Sequence, residues 1–273
     1  MDSSKTKTLG PRFAVGLSLG GVFLLSLLHP FAFATFAAVS AAIATYELAK
    51  ALSRAGWHVP SGAAIAAPAI IYAAFFYGSF GQWFALLGSL GLLVIWRISS
   101  LLIVGKQQTP KQTLRDFGAT GFALVYVPLL LSYAAILIND DGGTAWVLAI
   151  VLAVVMIDSF GYLIGRFFGK TKLIPSISPK KTWEGFLASA LGAALGGIIF
   201  WQLTSTSLSF ALLFGACILV SSVLGDLSES LIKRDLNVKD LGDVLPGHGG
   251  FMDRIDSLLP SVFVAYLLFQ VAF

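Results

Sequence analysis

The feature that most constrains this chain is the recurrence, from Phe13 to its carboxyl end, of apolar stretches long enough to cross a bilayer. A spanning helix needs about 20 such residues, and on that measure the chain divides into about nine, near 13–29, 31–52, 60–78, 80–103, 117–138, 145–167, 184–203, 208–232 and 256–273. Inside hydrocarbon every backbone N–H and C=O must be satisfied within its own segment, so stretches of this kind fold as helices. The predicted class is therefore all-α, a polytopic integral membrane protein whose constant partner is the lipid bilayer. With 57% hydrophobic and 12% charged residues, the chain lies far from soluble domains, which carry about 25% charged residues. The division between the third and fourth segments rests on Gly78-Ser79-Phe80-Gly81 alone, which marks either two spans or a break within a re-entrant pair. A basic start, an apolar run and Ala32-Phe33-Ala34 resemble a cleavable leader, but the next segment is equally apolar, and we expect Phe13–Leu28 to be the first span.

The basic residues test this division. All 18 Lys and Arg residues fall at the start, after the second, fourth, sixth and eighth segments, or within two turns of those positions. The loops near His29, Ser79, Asn139–Gly143 and Thr204–Ser207 have none. By the positive-inside rule the basic face is cytoplasmic, with the amino terminus inside and the carboxyl terminus outside. A net charge of +4 spread over membrane loops forms no soluble basic face, so no nucleic-acid partner is expected. Cys217 is the sole cysteine, which excludes a disulfide or a cysteine metal cluster.

A few polar groups sit where apolar ones would cost less. Asp158 lies in the middle of the sixth segment, either paired to a neighbouring helix for packing or lining a polar cavity. Gly161, Gly165 and Gly169 follow at four-residue intervals, a ridge suited to close helix contact. Glu47 precedes Lys50 and Arg54 by one and two turns and reads as a snorkelled ion pair. The stretch 104–116, with Thr109-Pro110, reads as an ordinary connection. In Ser178-Pro179-Lys180-Lys181-Thr182, Ser178 is suited to cap a helix that Pro179 opens. Lys180, Lys181 and Thr182 in its first turn would then join free N–H groups at the positive helix end, a spot for anions. The alternative is that the lysines only set topology.

Residues 226–257 concentrate the remaining charge. Asp226, Glu229, Ser230 and Lys233 recur at i, i+3, i+4 and i+7, one stripe on a helix. Asp253 and Asp256 stand i, i+3 at the head of the last apolar run. Between them, Pro246-Gly247-His248-Gly249-Gly250 lets the backbone turn tightly and bring N–H groups to a ligand. Arg234, Lys239 and Arg254 flank the turn. Carboxylates at helix ends beside Lys and Arg suit a divalent cation and phosphate, the chemistry of phosphoryl or nucleotidyl transfer. A solvated loop between two membrane helices is the plain alternative. His248 fits an acid, a turn-filling residue or a phosphate contact equally well.

From Ser230 through Lys233-Arg234, Lys239-Asp240, Gly242 and Leu245-Pro246-Gly247-His248-Gly249-Gly250-Phe251 to Asp253-Arg254-Ile255-Asp256, the sequence resembles, without a gap, the signature of phosphatidate cytidylyltransferases, also called CDP-diacylglycerol synthases. Asp158-Ser159-Phe160-Gly161-Tyr162, Gly165-Arg166-Phe167-Phe168-Gly169-Lys170 and Ser178-Pro179-Lys180-Lys181-Thr182-Trp183-Glu184-Gly185 are similar to further motifs of that family. The resemblance covers roughly 158–257. It implies a Mg²⁺-dependent membrane enzyme that makes CDP-diacylglycerol and pyrophosphate from CTP and phosphatidic acid.

The expectation is then a nucleotidyltransferase of the cell (inner) membrane with a cytoplasmic active site. Asp226, Asp253 and Asp256 hold Mg²⁺, with room for a second cation and for a homodimer. Asp226, Lys233, Asp253 and Asp256 carry catalysis. Ser178, Lys180, Lys181, Thr182, Arg234, Lys239, His248, Gly249, Gly250 and Arg254 bind substrate, and Asp158 lines the cavity. Residues 1–116 form membrane helices with little recognisable chemistry, and 117–273 the catalytic helices and loops. The competing readings are a CTP-dependent polyprenol or phytol kinase and an ion-coupled transporter using Asp158 and Asp226.

Overall fold

A computed structural model of the chain describes residues 9–104, 109–245 and 249–272. Their elements are α1 (Leu9–Ser26), α2 (Pro30–Arg54), α3 (Gly62–Val104), α4 (Pro110–Leu124), a π-helical stretch (Val125–Leu129), α5 (Leu130–Leu137), α6 (Gly143–Phe168), β1 (Lys172–Ile174), β2 (Ser178–Thr182), α7 (Trp183–Thr204), α8 (Leu208–Asp235), α9 (Met252–Ile255) and α10 (Leu258–Ala272). The protein is an all-α polytopic membrane protein. Seven helices among the described residues are long and apolar enough to cross a bilayer, where about nine spans were expected. The expected third and fourth spans form the single helix α3, interrupted at Gly78, whose φ of 60° and ψ of −149° leave helical geometry. Glycine reaches that conformation without a Cβ penalty. The first expected span is α1, a shorter apolar helix.

Outward-facing side chains are apolar too: Ile65, Phe80 and Leu102 are each more than three-quarters exposed. In water such a surface would aggregate, whereas lipid tails solvate it.

The chain forms two compact units. In the first, Met1–Ile136 with Asp240–Arg254, α2 buries Ala34, Ala37, Ala38, Ala41 and Ala44 while α3 buries Ala63, Ala67 and Ala74. Small residues let helix backbones approach where lipid gives no hydrophobic drive to associate. Buried Gln82 donates to the Ser132 hydroxyl at 2.7 Å. Thr109-Pro110, expected in a plain connection, instead opens α4: Thr109 and Gln112 form a reciprocal capping box and Pro110 takes the first turn. The π-helical stretch contains Pro128, and a π-bulge accommodates the missing proline N–H.

The second unit is Leu137–Lys239 with Ile255–Phe273. Here α6 and α7 pack along glycines, as the four-residue ridge predicts. A Cβ on Gly192 would stand 2.6 Å from the Met156 carbonyl oxygen, and one on Gly165 3.4 Å from the Gly185 Cα. Trp146, Phe200, Phe214 and Phe269 fill one end of this unit, Phe200 stacking on Phe214 at 4.0 Å.

The helix expected to open at Ser178 does not. Residues 178–182 form β2, antiparallel to β1, with Lys172 opposite Thr182 and Ile174 opposite Ser178. Helix α7 starts at Trp183, where the Thr182 hydroxyl accepts from Gly185 N at 3.2 Å. Thr182 is the better cap because the Glu184 carboxylate accepts from Thr171 N at 3.1 Å, tying the hairpin's other strand to the helix start. Lys180 and Lys181 therefore project from a strand, and the helix-dipole argument does not apply to them.

Candidate active site

The second unit gathers carboxylates from several elements. Asp226 sits on α8 nine residues before the helix ends at Asp235. The next-door Gly225 is why another acid comes near: a Cβ there would stand 3.0 Å from the Ser257 Cα and 2.8 Å from the Pro260 ring. Without it, the start of α10 settles against α8 and brings Asp256 beside Asp226. Asp256 accepts from Ser257 N at 2.8 Å and also lies within electrostatic reach of Asp226, Glu229 and Lys233. Asp158 of α6 interacts with Asp226, Asp256, Lys181 and the Ser257 side chain. Lys181 of β2 reaches in to meet Asp226 at 2.7 Å. The predicted stripe on α8 is present: Ser230 donates to Asp226 at 3.3 Å, and Lys233 bonds the buried Glu229. Arg234 donates to the Ile177 carbonyl at 3.1 Å and so holds the hairpin to the end of α8. Ser178 is half-buried on β2, and Lys180, Lys239 and Arg254 are exposed.

The glycine turn belongs to the first unit. Leu245 N donates to the Gly249 carbonyl at 3.1 Å, and Gly249 has φ +82°, a left-handed conformation that favours glycine. Asp253 closes the turn by accepting from Gly250 N at 2.7 Å and Leu241 N at 3.4 Å. The free N–H groups expected to face a ligand are thus partly turned inward. His248 lies outside the described residues.

Two groups in this unit escaped the sequence reading. Glu47, expected as a snorkelled partner of Lys50 and Arg54, is 1% exposed and bonds neither. It accepts from Val244 N at 3.3 Å and Met252 N at 2.8 Å, while Lys50 is 4.0 Å from Asp243. The signal was an acid within an apolar span, which the adjacent basic residues masked. The second is a buried pair, Arg97 with Asp116 at 2.8 Å, whose other carboxylate oxygen accepts from His58 N at 2.9 Å. These residues are 19 apart in sequence, beyond any helical spacing rule.

Residues 11–272 match the model of the Cytidylyltransferase family. The chain belongs to that family. Its relatives include the phosphatidate cytidylyltransferase of Mycobacterium bovis, 36% identical over 96% of this chain and 88% of that protein. That of Mycobacterium tuberculosis is 36% identical over 96% and 82%. The phosphatidate cytidylyltransferase of Thermotoga maritima is 34% identical over 67% of this chain and 69% of its own length.

This cytidylyltransferase is accordingly a nucleotidyltransferase built into the membrane. The carboxylates of its second unit fit a divalent cation. Asp158, Asp226 and Asp256 crowd negative charge among apolar helices, and their oxygens are hard donors. Among the described residues no three His, Cys, Asp or Glu side chains form a ready-made metal cage. A cation such as Mg²⁺ needs only one or two carboxylates when water and phosphate complete its shell.

Proposed function

We propose that this cytidylyltransferase transfers CMP from CTP to phosphatidic acid, giving CDP-diacylglycerol and pyrophosphate. The observation that carries the reading is the Asp226–Lys181 pair at 2.7 Å with Asp256 and Asp158 beside it, in a chain related along nearly its whole length to phosphatidate cytidylyltransferases. Acids to hold a cation and an ammonium group to meet phosphate suit phosphoryl chemistry.

In this reaction a phosphate oxygen of phosphatidic acid attacks the α-phosphorus of CTP in line. A new P–O bond forms, the bond to the β-phosphate oxygen breaks, and pyrophosphate leaves with its electron pair. A phosphate dianion is already nucleophilic, so no dedicated base is needed. Asp226 and Asp256 would hold Mg²⁺, and Asp253 joins them on the strength of its motif, with a second cation near them. The bound ion supplies charge neutralisation at the transferring phosphorus and the leaving group. Lys180, Lys181, Lys233, Arg234, Lys239 and Arg254 offset charge on the triphosphate, and electrostatic stabilisation of this kind is the main source of catalysis in phosphoryl transfer. Ser178, His248, Gly249 and Gly250 complete the substrate contacts. Thr182 acts through its cap, which sets the strand that carries Lys181. Asp158 lines the polar cavity.

We place the site at the cytoplasmic face of the inner membrane, with the amino terminus inside and the carboxyl terminus outside. Residues 117–273 carry the reacting groups on a scaffold that includes 1–116, and two copies pair in the bilayer. The test is product analysis with the purified protein, labelled CTP, phosphatidic acid and Mg²⁺. Labelled CDP-diacylglycerol with release of pyrophosphate is expected. Release of CDP with a phosphorylated lipid would replace this reading with a CTP-dependent lipid kinase.

A further inference from the structure

We propose that Glu47, on α2, is a positioning residue that holds together the two backbone stretches, 242–245 and 249–253, on either side of the signature turn. The proposal rests on the cytidylyltransferase reading above and concerns a residue outside every motif that led to it.

The argument begins with cost. Glu47 is an acid that is 1% exposed in an apolar, alanine-lined helix. Burying a carboxylate is expensive unless hydrogen bonds replace its water. Both oxygens are occupied by backbone donors from one distant segment: Oε1 accepts from Val244 N at 3.3 Å and Oε2 from Met252 N at 2.8 Å. These donors flank the turn on its two sides, so one carboxylate bridges the strands entering and leaving it. A neutral apolar residue would pack there at lower cost but would leave both N–H groups without acceptors.

The glycines of the turn carry the same imprint. A Cβ on Gly242 would collide with the Glu47 side chain, to which its three nearest atoms all belong. A Cβ on Gly250 would stand 2.9 Å from Glu47 Oε2, 2.7 Å from Asp253 Oδ2 and 2.8 Å from Gly242 N. Glu47 thus fills the space a side chain at Gly242 would take, and shares with Asp253 and the Gly242 backbone the space one at Gly250 would take. Gly250 N in turn donates to Asp253 at 2.7 Å. The chain of contacts runs from Glu47 through the backbone on both sides of the turn to the Asp253 carboxylate.

The decisive substitution is Glu47→Gln, which keeps the shape but leaves one acceptor where two are needed and points an amide N–H₂ at a backbone N–H. With the full-length protein in detergent or nanodiscs, hydrogen exchange over 241–253 should accelerate while α2 and α3 stay protected. In the CTP and phosphatidic acid assay, kcat should fall roughly 10–100-fold with both KM values within about threefold of wild type, the range seen when support behind a liganding side chain is removed. Glu47→Ala should make Gly242→Ala tolerable, so that the double variant loses less activity than the two single losses multiplied. Wild-type exchange over 241–253 in Glu47→Gln, an unchanged kcat, or a double variant that shows the full product of losses would overturn the proposal. Should Glu47→Gln fail to accumulate, the wild-type protein decides: slow exchange at the Met252 amide supports the bridge and fast exchange there refutes it. A wild-type protein without cytidylyl transfer would sink the functional reading alone, since the exchange measurements stand without activity.

Discussion

Lys181 offers the clearest separation of a structural from a chemical role, through the variant Lys181→Ala. Its ammonium meets Asp226 at 2.7 Å, but the two side chains are 23% and 36% exposed. A pair so open to its surroundings contributes at most about 1 kcal/mol to stability. If that were all, the variant would lose about a factor of five in the folded-to-unfolded ratio and almost nothing in rate. If it is instead a preorganised donor for charge that develops on the leaving pyrophosphate, the same group would be worth about 2.7–4 kcal/mol, or 10²–10³ in kcat. Lys181→Ala should therefore keep its thermal midpoint within a few degrees and lose at least two orders of magnitude in CDP-diacylglycerol formation. Lys181→Arg, which keeps the charge on a different geometry, should fall between. The assay is initial-rate transfer of labelled CMP into lipid at saturating Mg²⁺, beside a thermal melt of the same preparation. A rate within about fivefold of wild type, or a loss matched by unfolding, would refute the assignment.

Further outcomes follow from other contacts. Asp253→Asn replaces a carboxylate that accepts from Gly250 N and Leu241 N, and should cost at least about 10–100-fold in transfer with the helices still folded by circular dichroism. Gly192→Ala puts a methyl 2.6 Å from the Met156 carbonyl oxygen, forcing α6 and α7 apart at a cost of about 1–3 kcal/mol, readable as a lower thermal midpoint. Asp116→Ala removes the carboxylate that the buried Arg97 meets at 2.8 Å and should destabilise by about 3–5 kcal/mol, seen as poor accumulation that Arg97→Met on the same chain partly restores.

Much of the site was legible because it is local. Asp226, Ser230 and Lys233 share a helix face, so the i, i+4 rule finds their contacts in sequence. The Gly161, Gly165 and Gly169 ridge was legible for the same reason. The hairpin at 172–182 was not: Ser178-Pro179 is an acceptable helix opening, and only the pairing of β2 with β1 decides against it. Nothing in the order of residues ties Glu47 to Val244 and Met252, 197 and 205 positions away. Local spacing rules instead pointed to Lys50 and Arg54, the wrong partners.

Segment length and apolar composition by themselves determined that this chain folds as helices in a bilayer, because hydrocarbon leaves its backbone no other way to satisfy its hydrogen bonds. The uninterrupted signature from Ser230 to Asp256 likewise pointed to the family that residues 11–272 match. Tertiary structure alone decided that Asp158 joins Asp226 and Asp256, that Lys181 answers them from a strand, and that a buried Glu47 bridges the turn. The physical reason is that burial and charge pairing depend on which distant segments meet, a choice made by packing across the fold.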